Sequence, residues 1–287
     1  TVMKGETLGV VGESGCGKST LARLLMHLII PDSGELIFDG DEVGAKDGLE
    51  IRDMRRLMQM VFQDSYSSLN PRMPVEDSIA YGKTVHGASK VKAKEAAREL
   101  MTKVGLDPNL FGPRYPHELS GGQKQRINIA RALVLEPRVV ILDEAVSALD
   151  KSVEAQVLNL LSDLKEQLAL TYIFISHDLN VVRYISDHVM VMYLGQVVEI
   201  GPVTTVYDDP RHPYTQALLA SAPGKGSGQR ARLKGEIPSA HAVPSGCAFR
   251  TRCPHAFERC TTDKPAMREI GGGQKAACHL LDGAVAA

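Results

Sequence analysis

Near the start of the chain, an apolar run, a glycine-rich loop and a helical repeat follow one another directly. The apolar run, Leu8–Val11, is typical of a short strand that is buried on both faces of a sheet. Four leucines then recur at the spacing of one helix face: Leu21, Leu24, Leu25 and Leu28. A strand that leads through a loop into a helix predicts an α/β fold and leaves few other fold classes for this part of the chain.

The loop between this strand and this helix fits the pattern G-x-x-x-x-G-K-[ST] of a phosphate-binding loop. Its residues are Gly12, Glu13, Ser14, Gly15, Cys16, Gly17, Lys18 and Ser19, and Thr20 follows directly. The glycines let backbone N–H groups turn inward around a triphosphate, and the helix N-terminus adds partial positive charge. Lys18 is predicted to reach the β- and γ-phosphates, and the Ser19 hydroxyl to bind Mg²⁺. The position of Cys16 requires only a small side chain, and we interpret Cys16 as a filler residue that is neither a ligand nor a nucleophile.

A second apolar run, Val139–Leu142, leads directly into two carboxylates. Because ligands of open α/β sheets collect at the carboxyl ends of strands, Asp143 and Glu144 are predicted to lie beside the phosphates. Asp143 would hold Mg²⁺, directly or through water, and Glu144 would act as general base on the attacking water. For this motif alone, the alternative is a strand that happens to end in acidic residues.

The string Leu119–Gln123 predicts a second anion site. Ser120 is a good N-cap for the helix that follows, and Gly121 and Gly122 expose backbone N–H groups at its start, before Gln123. One chain therefore has two phosphate-binding devices. They do not easily serve one nucleotide within one chain, which indicates two copies that face each other head to tail.

With these motifs in this order, the chain resembles the ATP-binding cassette (ABC) ATPases over nearly its whole length. The resemblance implies a P-loop NTPase fold of ABC type, with ATP held between the Walker A loop of one subunit and the signature, Ser120–Gln123, of the other. It implies that Gln63 contacts Mg²⁺ or the attacking water and that His177 binds the γ-phosphate. It also implies that Asp150, in the D-loop Ser147–Asp150, bridges the dimer.

The expected ABC ATPase domain covers residues 1–205 and contains a helical subdomain at about 64–136. A helical element and linker follow at 206–225, and a small cysteine-rich module at 226–287. The family usually has an adenine-stacking aromatic residue upstream of Walker A, whereas the first aromatic residue here is Phe38. We therefore expect N-terminal strands to be missing or this contact to be absent.

Two further stretches, QDSYSSLNPRMPV and HPYTQALL, resemble oligopeptide and dipeptide importer ATPases. This resemblance implies a peripheral subunit at the cytoplasmic face of the inner membrane. Its expected partners are a second ATPase subunit (a paralogue or a copy of itself), two transmembrane permease subunits and, indirectly, an extracytoplasmic substrate-binding protein. Alternatives are nickel or glutathione import, a non-transport ABC ATPase, or a redox sensor with secondary ATPase activity.

Charge and hydropathy argue against a nucleic-acid-binding, a membrane-spanning or a secreted protein. The formal net charge of −1 predicts no nucleic-acid partner. No apolar run reaches 18 residues, and the N-terminal stretch does not resemble a signal peptide, so we expect a cytosolic chain. Thiols stay reduced there, and clustered cysteines then indicate a metal before disulfides.

Four of the five cysteines lie near the C-terminus with the spacing Cys-x5-Cys-x6-Cys-x17-Cys: Cys247, Cys253, Cys260 and Cys278. Four thiolates suit tetrahedral Zn²⁺ or an iron–sulfur cluster. Zinc sites usually contain tight C-x2–4-C pairs, which are absent here, and wider spacing suits the larger cluster. The importer resemblance also implies a [4Fe–4S] cluster at this place. Zn²⁺ and free or disulfide-bonded cysteines remain the alternatives.

Overall fold

The computed structural model describes residues 1–64, 67–221, 236, 238–239 and 242–282. The end of the expected linker, at 222–225, and the glycine-rich stretch PGKGSG at 223–228 lie outside these residues. The chain divides into two compact units. The first unit comprises Thr1–Glu6 and Thr20–Ile173, and the second comprises Thr7–Ser19 and Phe174–Ala287.

The first unit contains most of the helices. Its elements are β2 (Ile37–Phe38), β3 (Asp41–Glu42), α2 (Ile51–Leu57), β4 (Met58–Val61), α3 (Val75–Val85), α4 (Lys90–Lys103), α5 (Pro108–Phe111), a 3₁₀ turn (Pro116–Glu118), α6 (Gly121–Leu133), β5 (Val139–Asp143) and α7 (Lys151–Leu168). Strands β4 and β5 are parallel, with Val61 opposite Leu142. The residues that directly follow these two strands therefore meet at one edge.

Helices α3, α4 and α6 pack together in the region predicted as a helical subdomain. Helix α4 buries Ala93, Ala97 and Met101 on one face. It ends shortly before Gly105, whose φ of 74° lies in the left-handed region that glycine adopts readily. Lys90–Lys103 thus forms an amphipathic helix with one buried face.

The second unit has a mixed sheet in the order β1-β7-β8-β10-β9. Its strands are β1 (Thr7–Val11), β7 (His188–Tyr193), β8 (Gln196–Pro202), β9 (Arg268–Gly271) and β10 (Gln274–Ala276). Strands β1 and β7 are parallel, and the other neighbours are antiparallel. Its helices are α8 (Leu179–Ile185), α9 (Val203–Asp208), α10 (Pro213–Ala220) and α11 (Arg259–Thr262). This combination confirms the α/β class.

Two elements extend across the division between the units: α1 (Lys18–Leu25) and β6 (Thr171–Ile175). In the second unit, a hairpin turn at Leu194 and Gly195 joins β7 to β8, and both residues have positive φ, 45° and 75°. The two strands therefore form an antiparallel β-hairpin. Among the described residues, no helix is both long and apolar enough to cross a membrane.

Residues 242–282, which we call the cysteine segment, add to the sheet of the second unit. Within this segment, Lys275 of β10 pairs with Ile200 of β8. The aromatic ring of Phe249 is fully buried, with its centroid 5.3 Å from those of Tyr193 and Tyr214. The segment therefore shares both a sheet and a core with the strands around it.

Candidate functional site

The predicted phosphate-binding loop runs from the end of β1 to the first turn of α1, where Ser19 and Thr20 lie. A Cβ atom on Gly12 would lie 2.3 Å from the carbonyl oxygen of Met192, so only glycine fits there. The Lys18 ammonium is buried and donates to the carbonyl oxygens of Gly12 at 2.8 Å and Glu13 at 3.1 Å. Lys18 thus closes the loop upon itself.

Two further contacts hold this loop. The N–H of Gly195, in the hairpin turn, donates to the carbonyl oxygen of Cys16 at 2.8 Å. The Cys16 side chain is buried, and this burial raises the pKa of its thiol. A buried neutral thiol has little nucleophilic character, which agrees with the interpretation of Cys16 as filler.

Glu13 of the loop has partners that the sequence patterns did not indicate. Its N–H donates to the Tyr214 hydroxyl oxygen at 2.9 Å. Its carboxylate accepts two hydrogen bonds from the Arg252 guanidinium, at 2.6 Å and 3.0 Å. Arg252 lies 239 positions away in the cysteine segment, without periodicity or motif to mark it.

His177 lies directly after β6, in the second unit, and its side chain is exposed. The preceding residue, Ser176, donates its N–H to the carbonyl oxygen of Val10 at 3.2 Å. His177 therefore follows the end of β6 close to the end of β1, from which the phosphate-binding loop begins. Asp178 caps α8 by accepting from the N–H groups of Asn180 and Val181.

In the first unit, the structure brings Gln63 and Glu144 together. The Gln63 amide donates to a Glu144 carboxylate oxygen at 2.7 Å, as the parallel register of β4 and β5 requires. Asp143 ends β5 and is buried, whereas Glu144 has a left-handed φ of 48°. That conformation is uncommon outside glycine, and it turns the chain sharply after Asp143.

The signature begins α6 with a capping box. The Ser120 hydroxyl accepts from the Gln123 N–H at 3.3 Å, and the Gln123 side-chain oxygen accepts from the Ser120 N–H at 2.9 Å. The predicted N-cap is therefore confirmed. The first N–H groups of a helix, here those of Gly121 and Gly122, have no acceptor within the helix and can bind an anion.

Asp150, the predicted dimer contact, is exposed and caps α7. Its carboxylate accepts from the Val153 N–H at 2.9 Å and from the Ser152 hydroxyl at 2.8 Å. The bonds from Val153 and Ser152 lower the pKa of Asp150. Asp150 thus has a structural role in its own chain in addition to the contact predicted for it.

The starts of α6 and α7 touch at the signature, where a Cβ on Gly122 would lie 2.5 Å from a Val153 methyl group. Because valine is stiff at χ1, it cannot move aside. We expect Gly122→Ala to lower the free energy of unfolding by about 1–3 kcal/mol in denaturant titrations.

Gly121→Ala is the matched control, because its new Cβ would meet Leu149 only at 3.8 Å, an ordinary contact. It should leave stability unchanged or slightly improved. Val153→Ala should restore most of the loss in the Gly122→Ala background. Equal stability of the two alanine variants would contradict this packing.

The four clustered cysteines line one cavity together with His212 and Phe249. The cavity-lining cysteines are Cys247, Cys253, Cys260 and Cys278. Burial raises the pKa of Cys278 to about 11, and the other three thiols add to this rise. Within the part of the chain that the structure describes, no three His, Cys, Asp or Glu side chains are arranged to hold a single metal ion.

Two protein-family models match different parts of this chain. A family model described as ABC transporter matches residues 1–147. A second model, described as the C-terminal region of oligopeptide/dipeptide transporters, matches residues 198–260. The second match begins in β8 and includes Arg252 and three of the four clustered cysteines.

Similar proteins include the "probable peptide ABC transporter ATP-binding protein y4tS" of Sinorhizobium fredii, 51% identical over 292 residues, covering 100% of this chain and 82% of the relative. The oligopeptide transport ATP-binding protein AppF of Bacillus subtilis is 49% identical over 287 residues, covering 98% and 87%. Among solved structures, cbiO1 of Clostridium perfringens, part of the ABC transporter complex cbiONQ, has a TM-score of 0.66 at 29% identity. That comparison covers 73% of this chain and 82% of cbiO1.

Proposed function

Since this chain belongs to the ABC transporter family, whose ATP-binding proteins are ATPases, we propose that it powers the uptake of peptides through a partner membrane permease. The observation that supports peptides is the match of residues 198–260 to the C-terminal region of oligopeptide/dipeptide transporters. The names of the relatives, which specify peptide and oligopeptide transport, support the same substrate class.

For the hydrolysis step we propose Glu144 as the general base. Its hydrogen bond to Gln63 and its position directly after a buried strand support this role. A base held by one defined partner is oriented before the substrate arrives, which lowers the cost of reaching the transition state. Gln63 would then report the state of the γ-phosphate, because it contacts the base itself.

The remaining roles follow the chemistry of each residue. We propose that Lys18 binds the β- and γ-phosphates and that His177 binds the γ-phosphate. Ser19, Gln63 and Asp143 supply oxygen atoms, which Mg²⁺ prefers as ligands. The signature residues Ser120–Gln123 are proposed to bind the ATP of a partner subunit, and Asp150 to contact that subunit.

For the cysteine segment we propose a [4Fe–4S] cluster held by the four cysteines that line one cavity. Burial raises the pKa of Cys253 and Cys278, and neighbouring cysteine thiols add to that rise. Zinc sites usually contain tight C-x2–4-C pairs, which the spacing of these four cysteines lacks. A cluster separates its ligands by several atoms and suits thiols that are farther apart.

The proposed assembly contains a second ATPase subunit and two permease subunits, at the cytoplasmic face of the inner membrane. ATP binding would close the ATPase dimer and hydrolysis would reopen it, and this cycle would drive the permease.

The proposal predicts that the chain co-purifies with a permease from detergent-solubilised membranes of its source. In proteoliposomes with that permease and its binding protein, labelled peptide should accumulate only with ATP, and about 10²-fold or more slowly with Glu144→Gln. Accumulation of nickel or glutathione in place of peptide would contradict the substrate class. Recovery without any membrane protein would contradict the transport role.

A further inference from the structure

The phosphate-binding loop contains an acidic side chain, Glu13, at its second position. A triphosphate is strongly anionic, and a carboxylate beside it repels it unless the carboxylate is neutralised. Lys18 does not neutralise Glu13 through its side chain, because the ammonium donates to backbone carbonyl oxygens of the loop. The loop therefore needs a cation from elsewhere.

Arg252 of the cysteine segment is that cation. Its two terminal nitrogens donate to the two carboxylate oxygens of Glu13 at 2.6 Å and 3.0 Å, in the bidentate geometry that arginine forms best. The Arg252 side chain is only 4% exposed, and that of Glu13 is 21% exposed. Water screens this pair little. Removal of either charge therefore leaves the other without its counter-charge, and the remaining charge acts on the groups around it.

Arg252 is held in place by the core of the second unit. Its guanidinium lies 5.9 Å from the ring centroid of Tyr193, and its N–H donates to the carbonyl oxygen of Phe249 at 3.0 Å. The Tyr214 hydroxyl, which packs in the same aromatic group, accepts from the Glu13 N–H. Both the side chain and the backbone of Glu13 are thus fixed from outside the loop.

We propose that Arg252 is a positioning residue for ATP binding: it neutralises Glu13 and holds the phosphate-binding loop in the shape that accepts the triphosphate. The loop between Cys247 and Cys253, which contains Arg252, thereby makes nucleotide affinity depend on the cysteine segment. This dependence goes beyond the proposed transport function and does not require the transported substrate to be a peptide.

The test is a double-mutant cycle on the full chain in a Glu144→Gln background, which prevents turnover. The dissociation constant of MgATP is measured by calorimetry for Arg252→Met, Glu13→Gln and both together. Methionine keeps much of the arginine stem volume but removes the charge. We expect Arg252→Met to weaken binding on the order of tenfold, since an unpaired carboxylate then faces the phosphates. Glu13→Gln should restore most of that loss in the double variant.

Lys275→Met is the matched control, because it removes an exposed cation of the same segment that pairs with Glu269. It should leave the dissociation constant within twofold of the parent. If Arg252→Met does not fold, Arg252→Lys, which keeps the charge but loses the bidentate geometry, should weaken binding by about threefold to fivefold. Unchanged affinity of a folded Arg252→Met or Arg252→Lys variant would overturn the proposal. So would an equal loss with and without Glu13→Gln, since Arg252 would then act only through stability.

Discussion

Glu144→Gln is expected to reduce ATP hydrolysis by about 10²–10⁴-fold while leaving the dissociation constant of MgATP nearly unchanged. The amide cannot accept a proton from water, yet it has the shape of the carboxylate and can still hydrogen-bond Gln63. The change leaves the residues of the phosphate-binding loop, 12–19, as they are. Phosphate release and calorimetric ATP binding measure the two effects separately.

Glu166→Gln is the control for this change, because Glu166 is exposed on α7 and has no proposed catalytic role. Its hydrolysis rate should match the parent. Near-normal turnover of Glu144→Gln would refute Glu144 as the base. A parallel loss of ATP binding and turnover would show instead that Glu144 acts by holding the fold or the nucleotide.

Cys253→Ser is expected to reduce the iron bound by anaerobically purified protein from about four atoms per chain to nearly none. A serine hydroxyl is a poor ligand for iron at neutral pH, and a three-thiolate site cannot retain the cluster firmly. Burial raises the pKa of Cys247, Cys253 and Cys278, so metal binding must displace protons from these thiols. The metal content of the parent and the variant is measured by iron, sulfide and zinc analysis, together with the visible absorption spectrum.

The fifth cysteine provides the control, because Cys16 lies in the phosphate-binding loop and outside the cavity. Cys16→Ala should keep its iron and its broad visible absorbance. One zinc per chain in the parent protein would replace the cluster proposal with a zinc site. Absence of any metal from the anaerobic parent would refute both and leave the segment a structural element.

Local patterns predicted the elements that carry the chemistry. The strand before Gly12, the helix after Ser120 and the strand before Asp143 lie where periodicity and capping placed them. These predictions succeeded because each depends on residues adjacent in sequence, where backbone hydrogen bonding and burial repeat with a fixed period.

Other contacts could not be predicted because the partners are distant in sequence. Gln63 meets Glu144 across 81 positions, through the register of two parallel strands. The second role of Asp150, as a helix cap, follows from the start of α7 and could have been predicted from its spacing to Val153. The left-handed φ of Glu144 has no signal in the sequence, since non-glycine residues adopt it only where the surroundings enforce it.

The sequence by itself determined the family and its ATPase activity, and it predicted the residues that we propose for that chemistry, because phosphate binding requires particular residue types at fixed local spacing. Only the tertiary structure decided what holds those residues. It placed Arg252 on Glu13, Tyr214 on the same loop and four cysteines around one cavity. Such contacts depend on how strands and loops that are distant in the sequence pack together. Local sequence periodicity carries no information about them.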